Sequence, residues 1–267
     1  MTTLETKKYD VNPFSSLHIG GPGKVYLRQG DQPELTIEAP ENVFEALEVT
    51  NEAGKLSIRL RPSNFFRWLF DGGKLNIKDE ITYHITVTEI EKLSFGGSIN
   101  IESEEISSPN LKISNGGSVR AKFGKLSIQE KLKISNSGSV HAEFDGIEAY
   151  EFEFATSGSV KAEFNNIKVE KIHAHASGSM KFIARGGQAT QQDVSISGSG
   201  SYDALNLESQ ISTISISGSG KASIWAEEKL SLSVSGSGSI QYKGNAAVNQ
   251  RVSGSGHIEK VDLATEN

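Results

Sequence analysis

The sequence predicts an all-β protein, a single-domain parallel β-helix (solenoid) with about 18 to 22 residues in each coil. Short corners of serine, asparagine and glycine recur along most of the chain, and alternating apolar and polar residues flank each corner. A repeat of this regularity is typical of a solenoid, in which each coil contacts only its neighbours. We expect the coils to be right-handed. The central glycines of the corners are Gly97, Gly117, Gly138, Gly158, Gly178, Gly200, Gly220, Gly238 and Gly256.

Two apolar positions are shared by the repeats when they are aligned on these glycines, one four residues before the glycine and one two residues after it. Polar residues occupy the alternate positions, which predicts strands with one buried and one exposed face. We therefore place Ile134, Val140, Phe154 and Val160 in the core. Glycine suits the corners because it tolerates backbone angles that a side chain would forbid.

The amino-terminal third is rich in predicted strands without being periodic. Residues 1–12 are polar and are expected to form a frayed tail. Residues 13–92 should form irregular coils, with Gly23 as a first corner glycine, a short turn or helical piece over 40–46 and a hairpin around 51–54. The regular repeats occupy 93–262, and 263–267 should be a polar carboxyl-terminal tail.

Composition and charge exclude several classes of function. The net charge of −6 and the pI of about 5.6 disfavour nucleic-acid binding. The absence of cysteine excludes disulfides, thiolate metal sites and a cysteine nucleophile. No apolar run approaches the roughly 20 residues needed to cross a bilayer, so we expect no transmembrane segment. The first ten residues lack the apolar core of an export signal.

One aromatic segment, residues 62–74, breaks the alternating pattern. It contains Phe65, Phe66 and Trp68 ahead of an Asp-Gly-Gly sequence. Such a loop can fold back over an end or flank of the solenoid, since exposed coil ends need a cap. It can also be an exposed site for a sugar ring, a membrane surface or a protein partner. The sequence leaves both alternatives open.

Two outer columns of the predicted solenoid are candidate binding surfaces. Arg120, His141, Lys161 and Lys181 should stack into a basic strip, which an acidic glycan or a lipid headgroup could contact, although a solvated face is the simpler interpretation. Outward apolar side chains on three consecutive coils indicate a second patch, covered by the amino-terminal segment or by a second copy of the chain. These residues are Ile183, Leu205 and Trp225.

Catalytic constellations are weak in this sequence. Glu143 and Glu163 should lie in one outer column, where neighbouring carboxylates could share a proton. His173 and His175 alternate on one strand and could chelate a metal, but only serines are expected beside them in the next coil. We therefore predict no enzyme activity, no cofactor and no metal site.

Several segments resemble one bacterial family. They are VSISGSG from Val194, ISISGSG from Ile214 and GSIQYKGN from Gly238 followed by VSGSG, together with an opening FSSL from Phe14 and QGD from Gln29. Over roughly residues 13–261 the chain is similar to the head GIN domain family of putative auto-transporter adhesins, a largely uncharacterised group of envelope-associated β-helix proteins. The resemblance implies a cell-envelope or secreted location, and it supplies no catalytic residues.

The predicted function is therefore a non-enzymatic cell-surface or envelope module that presents a rigid β-helix to glycan, lipid or protein partners. A structural stalk or a self-associating assembly unit is the first alternative. A glycan-active enzyme is the second alternative, because parallel β-helices can carry clustered carboxylates in a groove.

Overall fold

Parallel strands dominate the structure, a computed structural model that describes residues 4–60 and 81–261. The described residues form one short helix, α1 (Glu41–Phe44), and the following strands. They are β1 (Leu4–Tyr9), β2 (Ser16–Gly20), β3 (Gly23–Gln29), β4 (Glu34–Pro40), β5 (Leu47–Glu52), β6 (Lys55–Leu60), β7 (Thr82–Val87), β8 (Lys92–Phe95), β9 (Ser98–Ser103), β10 (Ile106–Asn115), β11 (Ser118–Asn136), β12 (Ser139–Thr156), β13 (Ser159–Phe164), β14 (Ile167–Ala176), β15 (Ser179–Ala184), β16 (Gly187–Ile196), β17 (Ser201–Gly218), β18 (Lys221–Gly236), β19 (Ser239–Lys243), β20 (Ala247–Gly254) and β21 (His257–Lys260).

Each coil pairs in parallel with the next, which confirms the predicted solenoid of about 8 turns of roughly 20 residues. Val119 pairs with Val140, which pairs with Val160 in the following coil. The alternation of the sequence places these side chains inside. Ile134 and Phe154, the other two residues predicted to lie in the core, are also buried.

Aromatic side chains fill the middle of the core. Phe123, Phe144 and Phe164 are register partners in one inner column, Phe182 and Tyr202 are partners in the neighbouring inner column, and Phe164 meets Phe182 diagonally between the two columns. Adjacent ring centroids are 5.2, 4.9, 4.6 and 4.5 Å apart. Strands in neighbouring coils lie roughly 4.8 Å apart, so identical positions bring the rings to the separations at which aromatic pairs attract.

The register of the last coils differs from the predicted alignment by two residues. Gly178 lies against Gly198, not against Gly200 as predicted, and the column continues through Gly218, Gly236 and Gly254. Because side chains alternate with a period of two, this error keeps every residue on its predicted face. The inside and outside assignments were therefore right, and so were the vertical neighbours at the corners of the later coils, such as Ile196, Ile216 and Val234. At these corners, only the step from the Gly178 coil to the next coil was wrong.

The corner glycines are required by close backbone contact between coils. A β carbon on Gly117 would lie 2.1 Å from the carbonyl oxygen of Gly97, far inside any permitted contact. The adjacent Gly116 has no such restriction, because its nearest neighbour would be the Ser137 side chain at 3.9 Å. The second glycine of each early corner is therefore the one that the fold demands.

The amino-terminal end is closed by antiparallel strands. β1 pairs with β4, β4 pairs with β7, and β5 pairs with β6, all antiparallel. The prediction of a frayed tail over 1–12 was therefore wrong for Leu4–Tyr9. Its strand has a weak apolar pattern because most of its side chains face solvent. The predicted helical piece and the hairpin are confirmed.

The first coils do not follow chain order. β2 lies between β6 and β8, and β3 lies between β7 and β9. The corner that stacks under Gly97 contains Gly21, because a β carbon on Gly97 would lie 2.2 Å from the Gly21 carbonyl oxygen. The assignment of Gly23 as the corner glycine was therefore wrong by two residues.

The carboxyl-terminal end has a different character. β20 and β21 pair with β18 and β19 on one side, and along residues 4–60 and 81–261 no strand pairs with their other side. Val248 and Val252 on β20 are 38% and 43% exposed. The predicted aromatic contacts Phe65, Phe66 and Trp68 and the predicted tail 263–267 lie outside the described residues. No helix of the described chain is long and apolar enough to cross a membrane.

Candidate functional site

The predicted basic strip is a continuous column on the outer surface. Arg120 pairs with His141, His141 with Lys161, and Lys161 with Lys181. The same register leads to two further lysines that were not predicted, Lys24 beyond Asn100 at one end and Lys221 beyond Ser201 at the other. We call these six residues the basic column. Both lysines were missed because the repeats that contain them had been aligned on a corner glycine two residues away from the correct one.

A groove runs beside the basic column. Its other wall is a row of serines, and the space between them is about 670 Å³. At roughly 4.8 Å per coil, the six coils that line it span about 24 Å. The serine hydroxyls can donate or accept hydrogen bonds, so the groove combines cationic groups with hydroxyls. The serines are Ser98, Ser118, Ser139, Ser159, Ser179 and Ser199.

Acidic residues two positions further along each strand partly neutralise the basic column. Lys161 Nζ lies 2.5 Å from a carboxylate oxygen of Glu163, which also contacts Arg185. His141 Nε2 is 3.7 Å from Glu143 and has no hydrogen-bond partner among the described residues. In the part of the chain that the structure describes, Arg120 and Lys181 form no ion pair, so these two residues carry the uncompensated charge of the four central positions.

The predicted pair of stacked carboxylates is present, but its environment does not suit proton sharing. Glu143 and Glu163 are register partners. The hydrogen bond from Lys161, together with the one from Arg185, lowers the pKa of Glu163 despite a smaller opposing effect of burial. A carboxyl group with a lowered pKa is ionised at neutral pH and is a poor general acid. The arrangement is therefore an ion-pair network.

The two alternating histidines have an acidic neighbour that the sequence analysis did not place. Asp193 of the next coil is the register partner of His173, and its Oδ2 lies 3.5 Å from His173 Nδ1. The expectation of serines alone was wrong because of the two-residue register error. No group of three or more His, Cys, Asp or Glu side chains suited to a metal occurs within the described residues.

The predicted apolar outer column does not exist as one column. Ile183 pairs with Asp203, Leu205 lies in a register irregularity, and Trp225 pairs with Lys243. Lys243 Nζ lies 4.0 Å from the centre of the Trp225 ring, and the indole N–H donates to Glu227 at 2.6 Å. Trp225 is thus covered by its own neighbouring coil, whereas we had expected the amino-terminal segment or a second copy.

Comparison with known proteins places the chain among bacterial adhesin-like proteins. The family profile described as "Putative auto-transporter adhesin, head GIN domain" matches residues 13–131 and 125–246. The search of curated proteins found no match.

Two solved structures illustrate the fold similarity. A putative adhesin from Parabacteroides merdae is 21% identical with a TM-score of 0.67, over 97% of this chain and 96% of that one. A protein from Parabacteroides distasonis described as a putative lipid binding protein is 20% identical with a TM-score of 0.61, over 97% of each chain. At these identities the similarity shows the shared fold alone.

Proposed function

Since the chain belongs to the head GIN domain family of putative auto-transporter adhesins, we propose that it is a non-catalytic binding module of the bacterial cell surface or envelope. The family suggests the surface location and an adhesin-like role. We further propose that the basic column binds a chain or surface bearing repeated anionic groups. The observation that carries this proposal is the continuous register of cations beside the serine groove.

Repetition favours a multivalent anion over a single small one. Neighbouring coils present equivalent side chains about 4.8 Å apart, so one extended ligand can contact several coils together. Each additional contact is then intramolecular, which raises the overall affinity without requiring a strong single site. An acidic polysaccharide fits this arrangement, and an anionic lipid headgroup surface shares the same chemistry. The lipid-binding description of one structural relative supports testing both sources.

Arg120 and Lys181 are the residues to change first, because Lys161 is already held by Glu163. The double variant Arg120→Met/Lys181→Met should weaken binding to a polyuronate such as alginate, or to vesicles containing phosphatidylglycerol. A loss of about tenfold or more is expected, since each basic residue contributes about 1 kcal/mol at an anionic surface. Biolayer interferometry for the polysaccharide and vesicle co-sedimentation for the lipid separate the two sources.

A matched control removes the same charge from another face. Lys92→Met/Lys112→Met changes two exposed lysines that are register partners in a different outer column. Its binding should stay within about twofold of wild type. Binding by the wild type should also weaken with added salt, because the Debye length is about 8 Å at physiological ionic strength. Equal losses in both double variants would show only a general charge effect and would refute a role for the basic column.

Absence of catalysis is a separate part of the proposal. It is supported by the ion pairs that Glu163 forms with Lys161 and Arg185, which lower the pKa of Glu163 and make it a poor general acid. Incubation with acidic and neutral polysaccharides should release no reducing ends or unsaturated products. Turnover that disappears in Glu143→Gln or Glu163→Gln would overturn this part and leave the binding proposal standing.

Self-association is a second candidate, favoured by the exposed Val248 and Val252 of β20. An edge strand with unpaired backbone groups is a template for another strand, so two copies could meet at this end. Analytical ultracentrifugation should then show a dimer that Val252→Lys dissociates, whereas Ser215→Lys, at an exposed serine on β17, should leave the dimer intact. A monomer at all concentrations would remove this candidate.

A further inference from the structure

We propose that a second groove, on a different outer face from the basic column, binds an uncharged glycan chain. The groove has a volume of about 650 Å³ and is lined by residues of six successive coils. We call it the glutamine groove, after Gln129, Gln188 and Gln210 in its walls. The site does not depend on the proposed function, because it uses other residues and a ligand of different charge.

The floor of the glutamine groove is one residue wide. Ala149, Val169 and Ala189 are register partners in three consecutive coils, and each is buried. Polar or charged residues flank each of them in sequence and point outward, so the floor side chains point into the core. A ligand in the groove therefore lies over the strand backbone between two rows of outward side chains. Such a slot suits an extended chain that carries hydrogen-bonding groups along its length.

The free hydrogen-bonding groups of the glutamine groove are neutral. Gln129, Gln188 and Gln210 are exposed, and their amides make no side-chain hydrogen bond within residues 4–60 and 81–261. A primary amide can donate two hydrogen bonds and accept through its carbonyl oxygen. Sugar hydroxyls also donate and accept, so three unengaged amides along one groove match a polyhydroxylated chain.

Glu148, Lys168 and Glu170, three of the four charged groups in the groove walls, are already engaged. Glu148 lies 2.8 Å from Lys125 and 4.0 Å from Lys168. The hydrogen bond from Lys125 also lowers the pKa of Glu148. Thr190 donates to Glu170 at 2.7 Å. The walls carry three glutamates, Glu208 being the third, against one lysine. This excess of carboxylates repels an anionic chain, so the favoured ligand is uncharged.

An exposed aromatic ring stands at the edge of the groove. Tyr150 is 52% exposed and follows the floor residue Ala149. It occupies the wall position that Glu170 has in the next coil, since Ala149 and Val169 are register partners. Lys171 Nζ lies 5.6 Å from the ring centre. An amphipathic ring held at a groove edge can stack against the apolar face of a sugar.

The test uses the full chain and a panel of uncharged hexasaccharides with β-1,4-glucose, β-1,3-glucose, β-1,4-mannose or β-1,4-xylose units, measured by isothermal titration calorimetry. We expect binding of at least one member. Gln188→Met/Gln210→Met, which keeps side-chain shape and removes the amides, should weaken that binding about tenfold. Tyr150→Ala should weaken it by a similar factor. These side chains are exposed, so the melting temperature should stay unchanged.

Two controls separate this site from the basic column. Gln250→Met changes an exposed glutamine on β20 outside the groove and should leave binding within twofold. Arg120→Met/Lys181→Met should also leave it within twofold. Binding that survives the glutamine and Tyr150 variants would overturn the inference, as would failure of all four hexasaccharides to bind. Loss of saccharide binding in the Arg120/Lys181 variant would assign the glycan to the basic column and reject the glutamine groove.

The proposed function can fail independently of this site. If no variant lost binding to alginate or to vesicles, the proposed role of the basic column would be refuted. The hexasaccharide titrations would still test whether the glutamine groove binds a glycan. Equally, an uncharged peptide of extended conformation that binds in the groove when no hexasaccharide does would refute the glycan assignment.

Discussion

The corners of the early coils and those of the late coils fill the space inside the corner from opposite sides. Two inner positions flank each corner. In the early coils, here the four with inner corner residues between Asn115 and Met180, the position before the corner is small or polar and the position after it is large, as in Ala176 and Met180. In the late coils, those that follow, the order is reversed, as in Ile216 and Gly220. Each of these corners therefore encloses one large apolar side chain per coil.

Contacts at the second glycine explain the reversal. A β carbon on Gly220 would lie 2.7 Å from Ile196 Cγ2 and 3.2 Å from Ile216 Cγ2. The isoleucines thus fill the space that Val119, Val140, Val160 and Met180 occupy in the early coils. The recurring Ser-Gly-Ser-Gly sequence follows from this packing. Its first glycine permits backbone contact between coils, and its second leaves room for the preceding β-branched side chain.

The early arrangement leaves buried polar atoms that the late one avoids. Asn115 donates to Asn136 at 2.7 Å inside the corner, while Asn115 Oδ1 and Thr156 Oγ1 have no hydrogen-bond partner within residues 4–60 and 81–261. An unsatisfied buried polar atom costs about 1 to 3 kcal/mol. Ile196, Ile216 and Val234 replace this column with apolar groups. We infer that the late corners are the better packed of the two.

The largest expected effect comes from charging an early corner. Val160 is 4% exposed, and Val160→Asp would bury a carboxylate without a partner, which costs several kcal/mol. We expect no cooperative unfolding transition by circular dichroism. Ser159→Asp, at the exposed neighbouring position, should retain one. A Val160→Asp protein that melted at the wild-type temperature would place this position outside the core.

Backbone contact at the corner gives the next effect. Gly117→Ala should destabilise the protein by about 3 kcal/mol, because the new methyl group would overlap the Gly97 carbonyl and the coils would have to separate. Gly116→Ala is the matched control one residue away, and its unfolding free energy should change by less than about 1 kcal/mol. Urea denaturation measures both. Equal costs would indicate that the corners are held by loop conformation alone.

A double-mutant cycle tests the packing reversal itself. Gly220→Ala should cost about 1 to 3 kcal/mol through overlap with Ile196 Cγ2. Ile196→Ala should cost about 2 to 5 kcal/mol through the cavity it leaves. Since Ile196→Ala removes the overlapping methyl, the double variant should be more stable than the sum predicts, by at least about 0.5 kcal/mol. Leu207→Ala, a buried residue elsewhere, should combine additively with Gly220→Ala.

The two-residue register error shows what the sequence could and could not determine. The repeat period, the coil length and the face of each side chain follow from the local alternation of apolar and polar residues. The burial of Val140 and Val160 and the stacking of Arg120 to Lys181 were therefore predicted correctly. A Ser-Gly-Ser-Gly corner offers two glycines of equal local character. Which of the two glycines stacks on the Gly178 corner depends on how the space inside the corner is filled, by a residue before the corner such as Ile196 or by one after it such as Val160. The local sequence pattern does not show how that space is filled.

The errors at other sites have related physical causes. Ile183 was counted from a corner glycine that stacks on the first glycine of the next corner. Leu205 and Trp225 were counted from the second glycine of their corners, and a register irregularity after Ala204 separates these two residues. β1 was missed because an antiparallel edge strand exposes most of its side chains and pairs with β4, roughly 30 residues away in sequence. The glutamine groove had no sequence signal, since it lies beside register irregularities between coils that the local alternation does not reveal.

Low pH should destabilise the early coils more than the late coils, because the two regions carry different charged residues on their outer faces. In the early coils Lys133 Nζ lies 2.5 Å from Glu153, and Lys131 lies 3.0 Å from it. The same outer column in late coils holds uncharged Thr213 and Ser231. Burial of Glu153 disfavours its charge, but hydrogen bonds from the two lysines outweigh this effect and lower its pKa below 4.5.

A lowered folded-state pKa means that the unfolded chain takes up the proton first as pH falls. The stabilisation from Glu153 is therefore complete above about pH 5 and is lost progressively below the unfolded-state pKa of about 4.5. The contribution should be at most about 1 kcal/mol, since the pair is partly exposed.

In urea titrations between pH 6 and pH 3, Glu153→Gln should lose less stability than the wild type. Glu228→Gln, in a late coil and without an ion pair among the described residues, should lose as much as the wild type. Indistinguishable pH profiles for all three proteins would mean that the charged column contributes nothing to the early coils, and that the packing at the corners alone separates the two regions.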